Sequence, residues 1–206
     1  MSSHNELKFY PTSIPAVGIA IYEDVWNDPA KTIADIESIV NDADSGVKFI
    51  GSTVIDNEHG EESVKSHGRT SSEIVVSQHE DNEYFKKFSD ECENIIDACL
   101  ASYVETMMIN YNTFNIEGFY LLKYGVGEYF GSHYDCHSTN KRSIAVLIYL
   151  NDDYEGGELE FVHFNLKIKP KAGTVILFPP NYPYRHIANP VTKGAKYAAV
   201  TWYSER

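Results

Sequence analysis

The chain has 206 residues, enough for one well-buried domain and cramped for two. Its net charge of −13 and pI near 5.0 argue against nonspecific nucleic-acid binding, which draws on basic patches. Three cysteines make no disulfide framework, the first residues (MSSHNELKFYPTS) have no signal-peptide pattern, and no apolar run reaches membrane-spanning length; the expectation is a cytoplasmic protein with no membrane partner.

Ala16 to Ile21 (AVGIAI) reads as a strand. A helix starts at Asn27-Asp28-Pro29, with a capping residue ahead of a first-turn proline, and continues through Ile33, Ile36, Ile39 and Val40. Residues 45–72 are polar and read as loop with one or two short strands, a candidate lid over a site; Ile74 to Val76 reads as another strand. Asp81 to Met108 carries the longest helical pattern: Phe85, Phe88, Cys92, Ile95, Ile96, Cys99 and Tyr103 recur at spacings of three and four. Cys92 and Cys99 share that face as small core residues.

From Phe114 the character changes. Runs rich in Val, Ile, Tyr, Phe and Thr at 117–124, 142–150, 157–163, 165–169, 174–178 and 196–203 alternate with glycine- and proline-containing turns. Short strands at this spacing predict an antiparallel sandwich or jelly roll. The fold class is α+β, mainly β: one domain over 1–206, with helical and loop support over 1–113 and a jelly-roll core over 114–206.

Within that core stands His133-Tyr134-Asp135, with His186 53 residues later. On a strand, His-x-Asp puts both side chains on one face. A histidine from a neighbouring strand then completes two imidazoles and one carboxylate, the facial triad of non-haem Fe(II) oxygenases. His4, His59, His67, His79 and His163 lack supporting spacing, and His137 reads as a loop residue at the rim of the site. Gly125-Val126-Gly127 is no phosphate loop, lacking the following glycine, lysine and helix.

The run from 117 to 203 resembles the Fe(II)/2-oxoglutarate dioxygenases of the prolyl 4-hydroxylase-like branch. The resemblance is carried by Tyr124, Gly127, His133-Tyr134-Asp135, Arg142, Tyr149-Leu150-Asn151 and Gly156-Gly157-Glu158-Leu159. It continues in Pro170-Lys171-Ala172-Gly173, Leu177-Phe178, His186, Pro190-Val191, Gly194, Lys196 and Trp202. It implies a double-stranded β-helix and Fe(II) held by His133, Asp135 and His186. It also implies 2-oxoglutarate as cosubstrate, with ascorbate keeping the iron reduced.

Lys196 stands ten positions after the second histidine, as the family's basic residue does, on a strand face shared with Ala198, Val200 and Trp202. A lysine buried there calls for an anion, and the distal carboxylate of 2-oxoglutarate is the candidate. Lys193, the alternative, falls in the turn before Gly194. By resemblance Tyr124 and Tyr149 are hydrogen-bond donors to the same carboxylate, with polar-tipped core aromatics as the competing reading. Arg142 corresponds to an arginine associated with the peptide substrate, against a surface ion pair as the alternative, and Trp202 is a pocket wall. Phe130 departs from relatives that carry tyrosine there.

The implied reaction hydroxylates a prolyl residue of a peptide or protein, by a monomer or weak homo-oligomer. Three rivals stay open. One is the same chemistry on a free amino acid or another side chain; another is a catalytically silent jelly-roll binding module. The third is a cupin-type metal enzyme that does not use 2-oxoglutarate.

Overall fold

The computed structural model describes residues 8–52, 54–55, 62–63, 68–109, 114–136 and 141–205. The chain opens on a hairpin, β1 (Ser13–Ala16) and β2 (Ile19–Tyr22), instead of one strand over 16–21. Gly18 breaks that run: at φ +80° it turns the chain in a region that side chains rarely adopt, and its missing Cβ leaves room for the Tyr184 ring. Helix α1 (Pro29–Asn41) begins where the sequence places it, the Asp28 carboxylate accepting from the Lys31 N–H at 3.0 Å. Within the polar stretch lie β3 (Ile50–Gly51), β4 (Val54–Ile55) and β5 (Glu62–Ser63), and β6 (Ser72–Val75) follows at its end. Helix α2 (Glu83–Thr106) is capped by Asn82 and buries the whole predicted stripe from Phe85 to Tyr103, both cysteines included.

The second half supplies β7 (Phe114–Ile116), β8 (Tyr120–Tyr124), β9 (Phe130–His133), β10 (Arg142–Tyr149), β11 (Glu155–Gly156) and β12 (Leu159–Phe161). After them come β13 (Leu166–Ile168), β14 (Thr174–Phe178), β15 (His186–Ala188), β16 (Val191–Lys193) and β17 (Lys196–Glu205). The expected strand over 157–163 is shortened by a 3-10 turn at Val162–Phe164. The strands β9, β15 and β16 have no counterpart among the apolar runs, because they are short and carry polar or ligand side chains.

The major sheet runs β1-β2-β14-β10-β17-β8-β6-β3 with β7 on β17, and the minor sheet runs β13-β12-β15-β9. Parity along the central strands explains the layering. In β10, Ile144, Val146 and Ile148 join the core shared with Ile36 of α1 and the buried face of α2. Their neighbours Ala145, Leu147 and Tyr149 turn inward to meet Leu159, Phe161, Ile176 and Phe178 between the sheets. Burying each large apolar side chain contributes about 1.5–3 kcal/mol. The result is the double-stranded β-helix with supporting N-terminal helices that the sequence predicts.

Candidate metal centre

His133 ends β9 and His186 opens β15, and the register of the minor sheet sets the two directly opposite one another. Their ring centroids lie 4.2 Å apart. Asp135 lies beyond the end of its strand, so the two residues do not share a strand face as the simple His-x-Asp argument expects. A bend brings its carboxylate back, anchored by the Asp135 N–H donating to the Pro180 carbonyl at 2.9 Å. The carboxylate comes within 3.3 Å of His133 Nε2 and 3.9 Å of His186 Nε2. One donor atom from each of the three residues lies within 4.8 Å of the others, a group that can close on one ion.

Both imidazoles are preset. The Gly131 carbonyl is 2.7 Å from His133 Nδ1, and the Tyr184 carbonyl is 3.0 Å from His186 Nδ1. A carbonyl can only accept, so each Nδ1 holds the proton and each Nε2 lone pair points to the centre. Phe130 stacks on His133 with centroids 3.5 Å apart and planes 11° apart, so the phenyl ring fixes the imidazole plane without any hydroxyl. Burial, reinforced by the charge of His133, pushes His186 down to about 4. For Asp135 burial acts to raise the pKa, but the charge of His186 and the hydrogen bond from His133 overrule it, and the carboxyl lies well below the usual range. Near pH 7 the centre is therefore a carboxylate beside a neutral His186, a donor set suited to a divalent transition ion and to Fe(II) in particular. His137 lies outside the described residues.

Lys196 stands on the interior face of β17, 3% exposed, level with Tyr124 across the β8 register. Its Nζ donates to the Gly157 carbonyl at 2.8 Å and lies 5.2 Å from the ring centroids of both Tyr124 and Tyr149. Burial, with Lys169 nearby, pulls its pKa down to about 7. Gly157 reaches the ammonium because it and Gly156 adopt positive φ, where a side chain would run into Pro190 or the Tyr154 ring. Lys193 closes β16 opposite Glu155 and does not sit in the turn before Gly194; it is exposed and paired with that carboxylate. Burial also raises the pKa of Tyr124 and Tyr149, so both hydroxyls stay protonated donors.

Two further buried hydroxyls stand on residues beside Lys196 and Tyr149. Tyr154 Oη and Thr174 Oγ1 are buried with no hydrogen-bond partner among the described residues. The Tyr154 ring lies 5.9 Å from Lys196 Nζ, and Thr174 pairs with Tyr149. Buried polar atoms left without partners are rare and call for a ligand. A cation of depressed pKa beside unpartnered donors fits a carboxylate. Neither residue stands out in the sequence, where a turn tyrosine and a strand threonine look ordinary.

Arg142 and Trp202 are drawn to the metal side. The Arg142 guanidinium grips Glu117, with Nη2 at 2.7 Å from its carboxylate, and stacks 3.5 Å from the Trp202 ring centroid. Trp202 Nε1 donates to Asp135 Oδ2 at 3.0 Å.

Comparison with known proteins gives a consistent answer. Residues 119–204 match the model of the 2OG-Fe(II) oxygenase superfamily. A protein of Acanthamoeba polyphaga mimivirus named as a prolyl 4-hydroxylase is 33% identical over 112 residues, covering 45% of this chain and 46% of its own length. Human prolyl 3-hydroxylase 2 is 38% identical over 68 residues, covering 31% of this chain and 10% of its own. The chain thus spans less than half the length of these relatives. Among solved structures, a Trichoplax adhaerens prolyl hydroxylase in complex with a hypoxia inducible factor peptide fragment superposes with a TM-score of 0.71 at 19% identity. That match covers 92% of this chain and 84% of the other, and shows a shared fold.

Proposed function

We propose that this chain, whose residues 119–204 match the 2OG-Fe(II) oxygenase superfamily model, is a prolyl 4-hydroxylase of that superfamily acting on a peptide or protein. In the proposed reaction 2-oxoglutarate loses carbon dioxide to become succinate, one oxygen atom of O2 entering the succinate and the other replacing a prolyl C–H hydrogen as hydroxyl. His133, Asp135 and His186 would hold Fe(II), which supplies the oxygen chemistry when bound.

The protein's own residues do the rest. Gly131 and Tyr184 carbonyls hold the imidazole tautomers. Lys196, Tyr124, Tyr149, Tyr154 and Thr174 would take the distal carboxylate of 2-oxoglutarate, and the apolar interior around Leu159, Phe161 and Phe178 excludes water. The observation that carries the reading is the joint presence, on one jelly-roll interior, of a preset three-ligand centre and a buried lysine with unpartnered hydroxyls. A silent binding module has no need of both, and a cupin metal site has no need of the buried cation.

Prolyl 4-hydroxylation is the finer choice, supported by the mimivirus relative and by the shared fold; hydroxylation at the 3-position is its nearest competitor, named in the human relative. Ascorbate would keep the iron reduced. No described helix is long and apolar enough to cross a membrane, and three free cysteines fit the reducing cytosol as compartment. We place the work in a monomer or weak homo-oligomer.

The test is anaerobic. Fe(II) followed by 2-oxoglutarate should give the visible charge-transfer band of a chelated iron–oxoacid complex, absent in His186→Ala and demanding far more 2-oxoglutarate in Lys196→Ala. Admitting O2 with proline-containing peptides should then yield succinate and a peptide heavier by one oxygen atom. No band from a folded, metal-loaded protein would overturn the assignment.

A further inference from the structure

We propose that Glu117, Arg142 and Trp202 form a positioning unit for Asp135, committing one oxygen of that carboxylate to the indole and leaving the other against His133. The inference rests on the metal-site reading above and goes beyond it, because Arg142 and Trp202 are otherwise expected to meet substrate.

The contacts form one continuous brace. Trp202 Nε1 donates to Asp135 Oδ2 at 3.0 Å, an oxygen 3.9 Å from His186 Nε2, while Oδ1 lies closer in, 3.3 Å from His133 Nε2. The Arg142 guanidinium lies 3.5 Å from the Trp202 ring centroid, and the Tyr120 ring meets the indole edge-on at 5.8 Å. Arg142 is fixed in turn: Nε donates to both Glu117 oxygens at 3.0 Å, Nη2 to Oε2 at 2.7 Å, and Nη1 to the Asp135 carbonyl at 3.4 Å. Glu117 is pinned as well. Its N–H donates to the Trp202 carbonyl at 2.9 Å, its carbonyl accepts from Thr201 Oγ1 at 2.8 Å, and its carboxylate accepts from Ser204 Oγ at 3.2 Å.

This arrangement matters because Asp135 lies outside a strand. The backbone pairing that sets His133 against His186 does not reach it, so its carboxylate needs side chains to set it. A carboxylate has two oxygens, and a metal that took both would lose an open position. A metal drawing on Oδ2 would compete with the half-buried indole N–H for that oxygen's electron density and weaken the bond. The brace therefore favours ligation through Oδ1 alone. The fork of Arg142 is spent on Glu117 and the Asp135 carbonyl, and its charge is met by Glu117, so it reads as a support and not as an acceptor for peptide.

Trp202→Phe tests this, since it keeps an aromatic surface for Arg142 and removes the N–H. Anaerobic calorimetry with Mn(II) should show affinity lower by about tenfold, the low end of what lost supporting partners cost. The Co(II)-substituted variant should show a weaker visible spectrum, the mark of a higher coordination number, with the apoprotein melting as the wild type does. Glu117→Gln, farther from the centre, should move both readouts the same way by less, and the double variant should be no worse than Trp202→Phe alone. A folded Trp202→Phe with unchanged Mn(II) affinity and an unchanged Co(II) spectrum would overturn the proposal. Should that variant fail to fold, unchanged readouts in Glu117→Gln would do so. Wild-type protein that binds no metal would instead sink the function reading on which the proposal rests.

Discussion

The two ends of the jelly-roll interior are built on opposite plans. At the metal end the groups that matter are already held: each histidine by a backbone carbonyl, Asp135 by Trp202. At the lysine end, among the described residues, the cation has one carbonyl partner and two buried hydroxyls have none. A metal centre must present a fixed donor set before the ion arrives, because a misplaced lone pair weakens every later step. A carboxylate pocket can stay incomplete, since the cosubstrate completes its hydrogen bonds on arrival. Under the proposed function, one end is preorganised for an ion and the other would be completed by the cosubstrate.

The sharpest way to break the contrast is His186→Ala at the preset end. It should lower metal affinity by more than about a hundredfold, beyond the tenfold to hundredfold cost of losing a mere supporting partner; anaerobic calorimetry with Mn(II) measures it. Lys196→Met at the open end should leave metal affinity intact while costing about 2–5 kcal/mol of 2-oxoglutarate binding, the usual range for removing one member of a buried charge pair. The same substitution should raise apoprotein stability at pH 6 by roughly 1–4 kcal/mol, because it removes a buried charge that lacks a carboxylate partner. A melting comparison that shows loss instead would mean the lysine is already satisfied.

The pH dependence follows from the same group. With its pKa depressed to about 7, Lys196 is ammonium below that pH and amine above it. Affinity for the 2-oxoglutarate dianion should then fall as pH rises from 7 toward 9, by up to about tenfold per unit. The folded state holds fewer protons than the unfolded one between about 7 and 10.5, so apoprotein stability should rise over that window. The smallest effect is expected from Tyr154→Phe: about 0.5–1.5 kcal/mol lost in 2-oxoglutarate binding, read from the charge-transfer titration, with apoprotein stability unchanged or slightly raised.

Much of this was legible in the chain. The apolar stripe of α2 emerged residue for residue, because period 3.6 is a property of the segment itself. Lys196 on an interior face followed from strand parity, and the ligand set from residue type and order. The misreadings have local causes. Ala16–Ile21 is apolar enough to read as one strand, and a single glycine at positive φ folds it into a hairpin. His133 and Asp135 converge through a bend anchored on Pro180 and not through shared strand parity.

What the sequence determined by itself was chemistry and alternation: which residues can bind a metal or meet a carboxylate, and which face of each helix or strand is apolar. What only the tertiary structure decided was partnership. The pairing of β9 with β15 sets two histidines 53 residues apart against each other, and the return of β17 beside β10 and β8 brings Trp202 to Asp135 and Lys196 to its tyrosines. Whether a buried hydroxyl has a partner, or an arginine is already spent, depends on distances across the sheet. Side-chain hydrogen bonds between residues far apart in the chain leave no periodic trace along it, so those facts exist only once the chain has folded.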